Sequence, residues 1–198
     1  EGMSYQDIRA KYGAIDDFVN LEPAGSDDTE YALLTAAALL QFGINITAED
    51  FASVWKSKVC TQTAAFLGAG FSEMNAIQNL KIGLMPPFSG QHNHAWSDGL
   101  AMRVAPIGVL ANGDIAAAKR MAIADGEVSH SGEGIHAGIA IAVAVTSGMA
   151  GKGYLEVYSD AVNSVPKDSW TYRTLVDAQN ILNENVNESL FVNAEKLL

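Results

Sequence analysis

The chain has 198 residues, 48% of them apolar, which suffices for one globular domain with a substantial core. Its 12 lysines and arginines against 23 aspartates and glutamates give a net charge of −11, which excludes wrapping a nucleic-acid backbone, since that needs a basic stripe. One cysteine, Cys60, excludes an internal disulfide and fits a reducing compartment, so a cytoplasmic location is expected; the thiol itself reads as a small buried hydrophobe.

Residues 4–12 read as a first helix, with Ser4 as cap, Asp7 in the first turn and Gly13 as the stop. Residues 16–25 are expected as loop. The run Pro23-Ala24-Gly25-Ser26-Asp27-Asp28-Thr29-Glu30 then opens an apolar helix over 31–40, and it has two readings. As a helix start, Ser26 accepts from the first-turn amides while Asp27, Asp28 and Glu30 oppose the positive end of the dipole. As a cation site, the Ser26 hydroxyl and the Asp27 and Asp28 carboxylates offer the hard oxygen ligands that Mg²⁺ or Mn²⁺ prefers. Gly43 and Thr47-Ala48-Glu49-Asp50 mark a turn and a new cap, after which Phe51, Val54, Trp55 and Val59 recur at helical spacing. Residues 61–71 are small and apolar, 72–82 form a weaker helix, and 83–93 make a loop rich in Pro, Gly and His.

Beyond Ala95 helices are expected over 99–110, 114–125, 132–149, 154–162 and 172–183, followed by an asparagine-rich stretch and a final short helix. Two-residue alternation over 137–145 imitates a strand, but its alanines and glycines and its length favour a helix packed closely on its neighbours. The longest uncharged run, 135–151, falls short of the roughly 20 residues a bilayer span needs, so no membrane partner is expected. No repeat or linker divides the chain. The fold class is all-α, in one domain.

Two further clusters carry polar chemistry. Around the loop end, His92 and His94 are zinc-ligand types without a third ligand nearby and read as surface loop. Trp96 either stacks on a planar ring or anchors the core; Ser97, with the flexible backbone at Gly99, either meets a phosphate or ribose or forms a cap with Asp98. Arg103 within an apolar helix demands a carboxylate partner. In the run 125–136, His130 precedes a glycine-rich helix entry, where it receives a phosphate or sugar oxygen or bonds to a loop carbonyl. Glu133 belongs to the first turn of that helix, with His136 packed one turn on.

In order and spacing, Ser26-Asp27-Asp28-Thr29, the block Trp96-Ser97-Asp98-Gly99-Leu100-Ala101-Met102-Arg103-Val104-Ala105-Pro106-Ile107-Gly108, and Ser129-His130-Ser131 before an alanine-rich helix resemble the ADP-ribosylglycohydrolase family. Its pattern runs Thr-Asp-Asp-Thr, then Asn-Gly-x-x-Met-Arg-x-x-Pro-x-Gly, then a histidine before such a helix. The resemblance covers nearly the whole chain and implies a compact multi-helix bundle with a binuclear Mg²⁺ or Mn²⁺ site at the bottom of a cleft for ADP-ribose. The implied reaction is hydrolysis of the N- or O-glycosidic bond joining ADP-ribose to a protein side chain or a related acceptor. The implied partners are an ADP-ribosylated protein or a small ADP-ribose or nucleoside glycoside.

Residue by residue, the resemblance implies Ser26, Asp27 and Asp28 as metal ligands, Trp96 as an adenine-stacking residue, and Ser97, Asp98, Gly99 and His130 as contacts to phosphate or ribose. Glu1-Gly2-Met3-Ser4 resembles the end of the family's Gly-Asp-x-x-Gly-x-x-x-Glu motif, making Glu1, with Asp28, the candidate catalytic carboxylate. Asp98 stands where the family has Asn, and the family's C-terminal Asp-x-Asp-Thr block has no counterpart in these residues. The domain is therefore expected to be truncated at both ends, with metal affinity weak or lost in this form. The competing expectation is a member without catalysis that binds ADP-ribose or a nucleotide, or serves structurally.

Overall fold

Local signals explain most helix starts. Ser4 Oγ accepts from the Asp7 amide at 3.1 Å and opens α1 (Tyr5–Tyr12), which buries none of its residues. At Thr47 a full capping box forms: its hydroxyl accepts from the Asp50 amide at 3.2 Å and the Asp50 carboxylate accepts from the Thr47 amide at 3.0 Å. The helix so begun, α3 (Ala48–Lys58), buries Phe51, Ala52, Val54 and Trp55 along one side. Burying a side chain such as Phe51 contributes about 1.5–3 kcal/mol, so this face rather than propensity holds the helix in place.

The computed structural model describes residues 3–13, 15, 25–62, 69–184, 192, 193 and 196. Besides α1 and α3 they form α2 (Asp27–Phe42), α4 (Phe71–Lys81), α5 (Ala105–Ala111), α6 (Ile115–Ser129), α7 (Glu133–Met149), α8 (Tyr154–Asn163) and α9 (Trp170–Glu184), with 3₁₀ turns at Gly43–Asn45 and Phe88–Gly90. No strand occurs among the described residues, and the all-α class holds. No helix among them is long and apolar enough to cross a membrane. Glu1, residues 16–24 of the loop expected over 16–25, and most of the asparagine-rich tail lie outside the described residues.

The alternating segment at 137–145 is helical, as part of α7. Its small residues permit close approach: a Cβ on Gly138 would lie 2.4 Å from Leu100 Cγ, and one on Gly108 of α5 would lie 2.7 Å from the Ala142 carbonyl of α7. α7 packs against α5, α6 and α8, while α3 lies on α6 and α2 on α5.

Two expectations need correction. The helix predicted over 99–110 does not start at 99; residues 96–103 are turns, and α5 begins at Ala105. A continuous helix would need an amide at Pro106 to bond the Met102 carbonyl, and proline has none, whereas near a helix start that lack is harmless. Ser26 sits at the N-cap of α2, but its hydroxyl makes no cap hydrogen bond; only its carbonyl joins the helix, accepting from the Glu30 amide at 3.1 Å.

Candidate active site

Freed from a helix, the turns at 96–103 carry Arg103 into the middle of the molecule, where it is fully buried. Each of its N–H groups finds an acceptor. Nε and Nη2 both donate to Asp125 Oδ1, at 3.1 and 3.0 Å, and Nη2 also donates to the Asp125 carbonyl and to Ser129 Oγ at 2.9 Å. Nη1 donates to Glu73 Oε1 and to the Gly99 carbonyl, both at 3.2 Å. The guanidinium lies 5.0 Å from the Trp55 ring centroid, and Thr35 Oγ1 donates to Asp125 Oδ2 at 2.9 Å. The carboxylate partner that Arg103 demanded is therefore a pair, Glu73 from α4 and Asp125 from α6, and the arginine ties α2, α3, α4 and α6 to the 96–103 turns.

Glu73 is the link between this core and the surface. Its carboxylate is 1% exposed yet lines a cleft of about 250 Å³ together with Asp27, Gly70, Phe71, His94, Trp96, Ser97, Asp98, Gly99 and Met102. Burial pushes its pKa up, Arg103 pulls it back, and Asp98 and Asp27 push it up again. Gly99 leaves the room that this carboxylate needs, since a Cβ there would sit 1.9 Å from Oε1.

Behind Ser97 stands His130, 1% exposed at the C-terminal end of α6. Its Nδ1 lies 2.8 Å from Ser129 Oγ, and its Nε2 lies 3.2 Å from Ser97 Oγ and 3.6 Å from Glu73 Oε1. Burial, then the charges of Arg103 and His92, hold the imidazole neutral, its pKa pushed down to about 2. The loop at 83–93 supports this corner from below: a Cβ on Gly90 would meet the His130 carbonyl at 2.6 Å, and His92 Nε2 lies 3.1 Å from the Ser129 carbonyl.

Of the residues singled out in the sequence, the structure brings Asp27, Trp96, Ser97, Asp98 and Gly99 into one cleft, with His130 directly beneath it. Trp96 is 66% exposed, so the core-anchor reading is set aside; its Nε1–H donates to the Asn93 carbonyl at 3.3 Å. Asp27 is half-buried, while Ser26 and Asp28 are exposed on either side of it in sequence. Glu1 lies outside the described residues. His94 stacks on Phe71 with ring centroids 5.2 Å apart. Two residues of the site were missed: Glu73, which lines the cleft, and Ser72, whose Oγ lies 2.6 Å from Ser97 Oγ behind it. Both sit in the weakly amphipathic α4, and the one signal for Glu73 was indirect, the buried arginine that required an acid.

The donor set at the start of α2 suits a hard cation: two adjacent carboxylates and a hydroxyl that no cap hydrogen bond engages. Among the described residues no group of three or more His, Cys, Asp or Glu side chains is placed to hold a metal ion.

A family model described as ADP-ribosylglycohydrolase matches residues 1–197. A protein of Archaeoglobus fulgidus described as uncharacterized is 32% identical over 155 residues, which is 73% of this chain and 48% of that protein. The chain thus spans about half the length of the curated relative it matches. No solved structure matches.

Proposed function

Because this chain belongs to the ADP-ribosylglycohydrolase family, we propose that it is part of a glycohydrolase that cleaves the N- or O-glycosidic bond between ADP-ribose and a protein side chain or related acceptor. The observation that carries this reading is the cleft itself, which gathers Asp27 from the first motif and Trp96, Ser97, Asp98 and Gly99 from the second, far apart in sequence, over the buried His130.

In this reading the exposed Trp96 ring is the surface on which a planar base stacks. Ser26, Asp27 and Asp28 would hold Mg²⁺ or Mn²⁺, which when bound orients ribose hydroxyls and lowers the pKa of a water. Hydrolysis needs a carboxylate that takes a proton from the attacking water and one that delivers a proton to the leaving nitrogen or oxygen; Glu1 and Asp28 are assigned to that work. Ser97, Asp98, Gly99 and His130 are assigned to the ribose and phosphate side of the ligand. Gly99 leaves room for the Glu73 carboxylate at the floor, and His130, neutral and buried, fixes the Ser97 side chain from behind.

The test is release of ADP-ribose from an ADP-ribosylated protein by the full-length protein, with Mg²⁺ or Mn²⁺ added and removed. Cation-dependent release that disappears in Asp28→Asn supports the reading; no release from any arginine-, serine- or amide-linked conjugate overturns it. A second reading, binding without turnover, is favoured by Asp98, whose carboxylate stands where the family pattern has a neutral amide. Calorimetry showing tight ADP-ribose binding in protein that releases none would select it.

A further inference from the structure

The chain that carries Trp96 and Ser97 has no regular structure of its own. Residues 92–103 are bends and turns, so the direction of the Trp96 ring depends on what grips the chain on either side of it. Two of those grips come from one side chain. Ser72, wholly buried in the first turn of α4, donates its hydroxyl to the His94 carbonyl and lies 2.6 Å from Ser97 Oγ. It thus spans the chain from two residues before Trp96 to one residue after it. Its neighbours grip the flanks: the Phe71 ring stacks on the His94 ring with centroids 5.2 Å apart, and Glu73 holds Arg103 at 3.2 Å where the turns end.

Ser97 Oγ is a shared node. Besides Ser72 it has His130 Nε2 at 3.2 Å and the Gly99 amide, which donates to it at 3.5 Å. Three partners therefore surround an oxygen that has one hydrogen and two lone pairs, whichever tautomer the imidazole holds. Without the Ser72 hydroxyl, Ser97 would keep only His130 and the long contact from Gly99, and the His94 carbonyl would lose its donor. From behind, the Ser131 amide donates to the Ala95 carbonyl at 2.9 Å. The indole itself is anchored only within the loop, through Nε1–H on the Asn93 carbonyl. Among the described residues, the hydrogen bonds that reach 94–97 from elsewhere in the chain thus come from two places: the corner at 130–131, and the start of α4.

We propose that the first turn of α4 positions this binding surface, with Ser72 as the positioning residue and the Phe71 stack on His94 as its support. Ser72 holds Trp96 and Ser97 where they meet the ligand, without touching the ligand itself. It does not line the cleft, whereas Gly70, Phe71 and Glu73 around it do. That ADP-ribose lies on this surface rests on the glycohydrolase reading; the clamp rests on the contacts alone. Because the clamp sets the binding surface rather than the attack on the glycosidic carbon, its loss raises KM for a conjugate and leaves kcat nearly unchanged.

The experiment labels the full chain with 5-fluorotryptophan and follows the fluorine resonances of its three tryptophans, that of Trp96 being the one lost in Trp96→Phe. Ser72→Ala is expected to shift or broaden the Trp96 line while those of Trp55 and Trp170 stay in place. Titration with ADP-ribose and Mg²⁺ is expected to show affinity about tenfold weaker in this variant, the worth of one buried hydrogen bond. Ser147→Ala removes a similarly buried hydroxyl, the one that α7 gives to Asp160, and is expected to change neither readout. Phe71→Ala, at an exposed position, is expected to move the Trp96 line by less, and that line decides alone if Ser72→Ala does not fold. An unmoved Trp96 line in the folded variants overturns the proposal. So does a moved line with unchanged ADP-ribose affinity, an equal loss of affinity in Ser147→Ala, or a fall in kcat at unchanged KM. A moved Trp96 line in a protein whose parent form binds no ADP-ribose upholds the clamp and sinks the glycohydrolase reading instead.

Discussion

Gly99 and Glu73 share a space that one methyl group would contest, because a Cβ on residue 99 would stand 1.9 Å from Glu73 Oε1 and 2.6 Å from its Cδ. Glu73 cannot retreat without leaving Arg103. Gly99→Ala is therefore expected to cost about 1–3 kcal/mol, the range of core overpacking. A urea denaturation midpoint equal to that of the parent would show that the contact is not maintained in solution.

Arg103→Met keeps most of the volume and removes the charge, stranding Glu73 and Asp125. Loss of one partner from a buried ion cluster costs about 3–5 kcal/mol, while neutralising all its members together is far milder. The single variant should lose most of the stability of the fold, and Arg103→Met with Glu73→Gln and Asp125→Asn should regain a large part of it. Equal stability of the single and triple variants by chemical denaturation would refute the pairing.

For His130, burial and then the charges of Arg103 and His92 put the folded pKa at about 2, against about 6.5 for the free side chain. Between these values the unfolded chain binds a proton that the folded chain does not, so stability is fully present above about pH 6.5 and is lost as pH falls, by about 1.4 kcal/mol per pH unit. His130→Gln removes this dependence. The drop in unfolding free energy from pH 7 to pH 5 should be about 2 kcal/mol smaller in the variant than in the parent, and identical drops would count against a neutral buried imidazole.

Glu133, in the first turn of α7, caps a different helix: its carboxylate accepts from the Trp170 amide at 2.9 Å, the Thr171 amide at 3.0 Å and the Thr171 hydroxyl at 2.8 Å. Burial raises its pKa, but these donors and His136 together outweigh it and hold the carboxyl below the usual carboxylate range. Glu133→Ala should cost about 0.5–2 kcal/mol, as loss of an N-cap does, with Glu133→Gln milder. Hydrogen exchange should quicken at Trp170 and Thr171 and remain unchanged in α6; uniform quickening would mean the cap is global rather than local.

Local chemistry made the helices legible. Thr47 and Asp50 satisfy each other three residues apart, and α7 is betrayed by its glycines and alanines despite the alternation of its β-branched residues. Arg103 announced the need for an acid, because a buried cation must be paired. Which acid was not legible, since Glu73 and Asp125 reach it across long stretches of chain and only the packed helices decide the meeting. Pro106 was visible in the sequence, yet its apolar surroundings concealed that the turns before it, and not a helix, lead Arg103 inward. At the candidate site, the motif residues Asp27 and 96–99 could be named in advance, whereas the hydrogen bonds through Ser72 and Ser129 depend on distances that no spacing contains.

Residues 130–133 answer to three parts of the molecule at once. His130 reaches Ser97, the Ser131 amide donates to the Ala95 carbonyl at 2.9 Å, and Glu133 caps α9, with Gly132 at a φ of 54° making the corner between them. Each residue added or removed there would rotate the following helix by about 100° and carry Glu133 off its target or pull His130 from under the cleft. The length of this corner is consequently fixed in a way its composition is not. Natural relatives that keep the architecture should tolerate varied side chains at 131 but no insertion or deletion between 130 and 133, and should place such length changes at exposed turns such as 150–153.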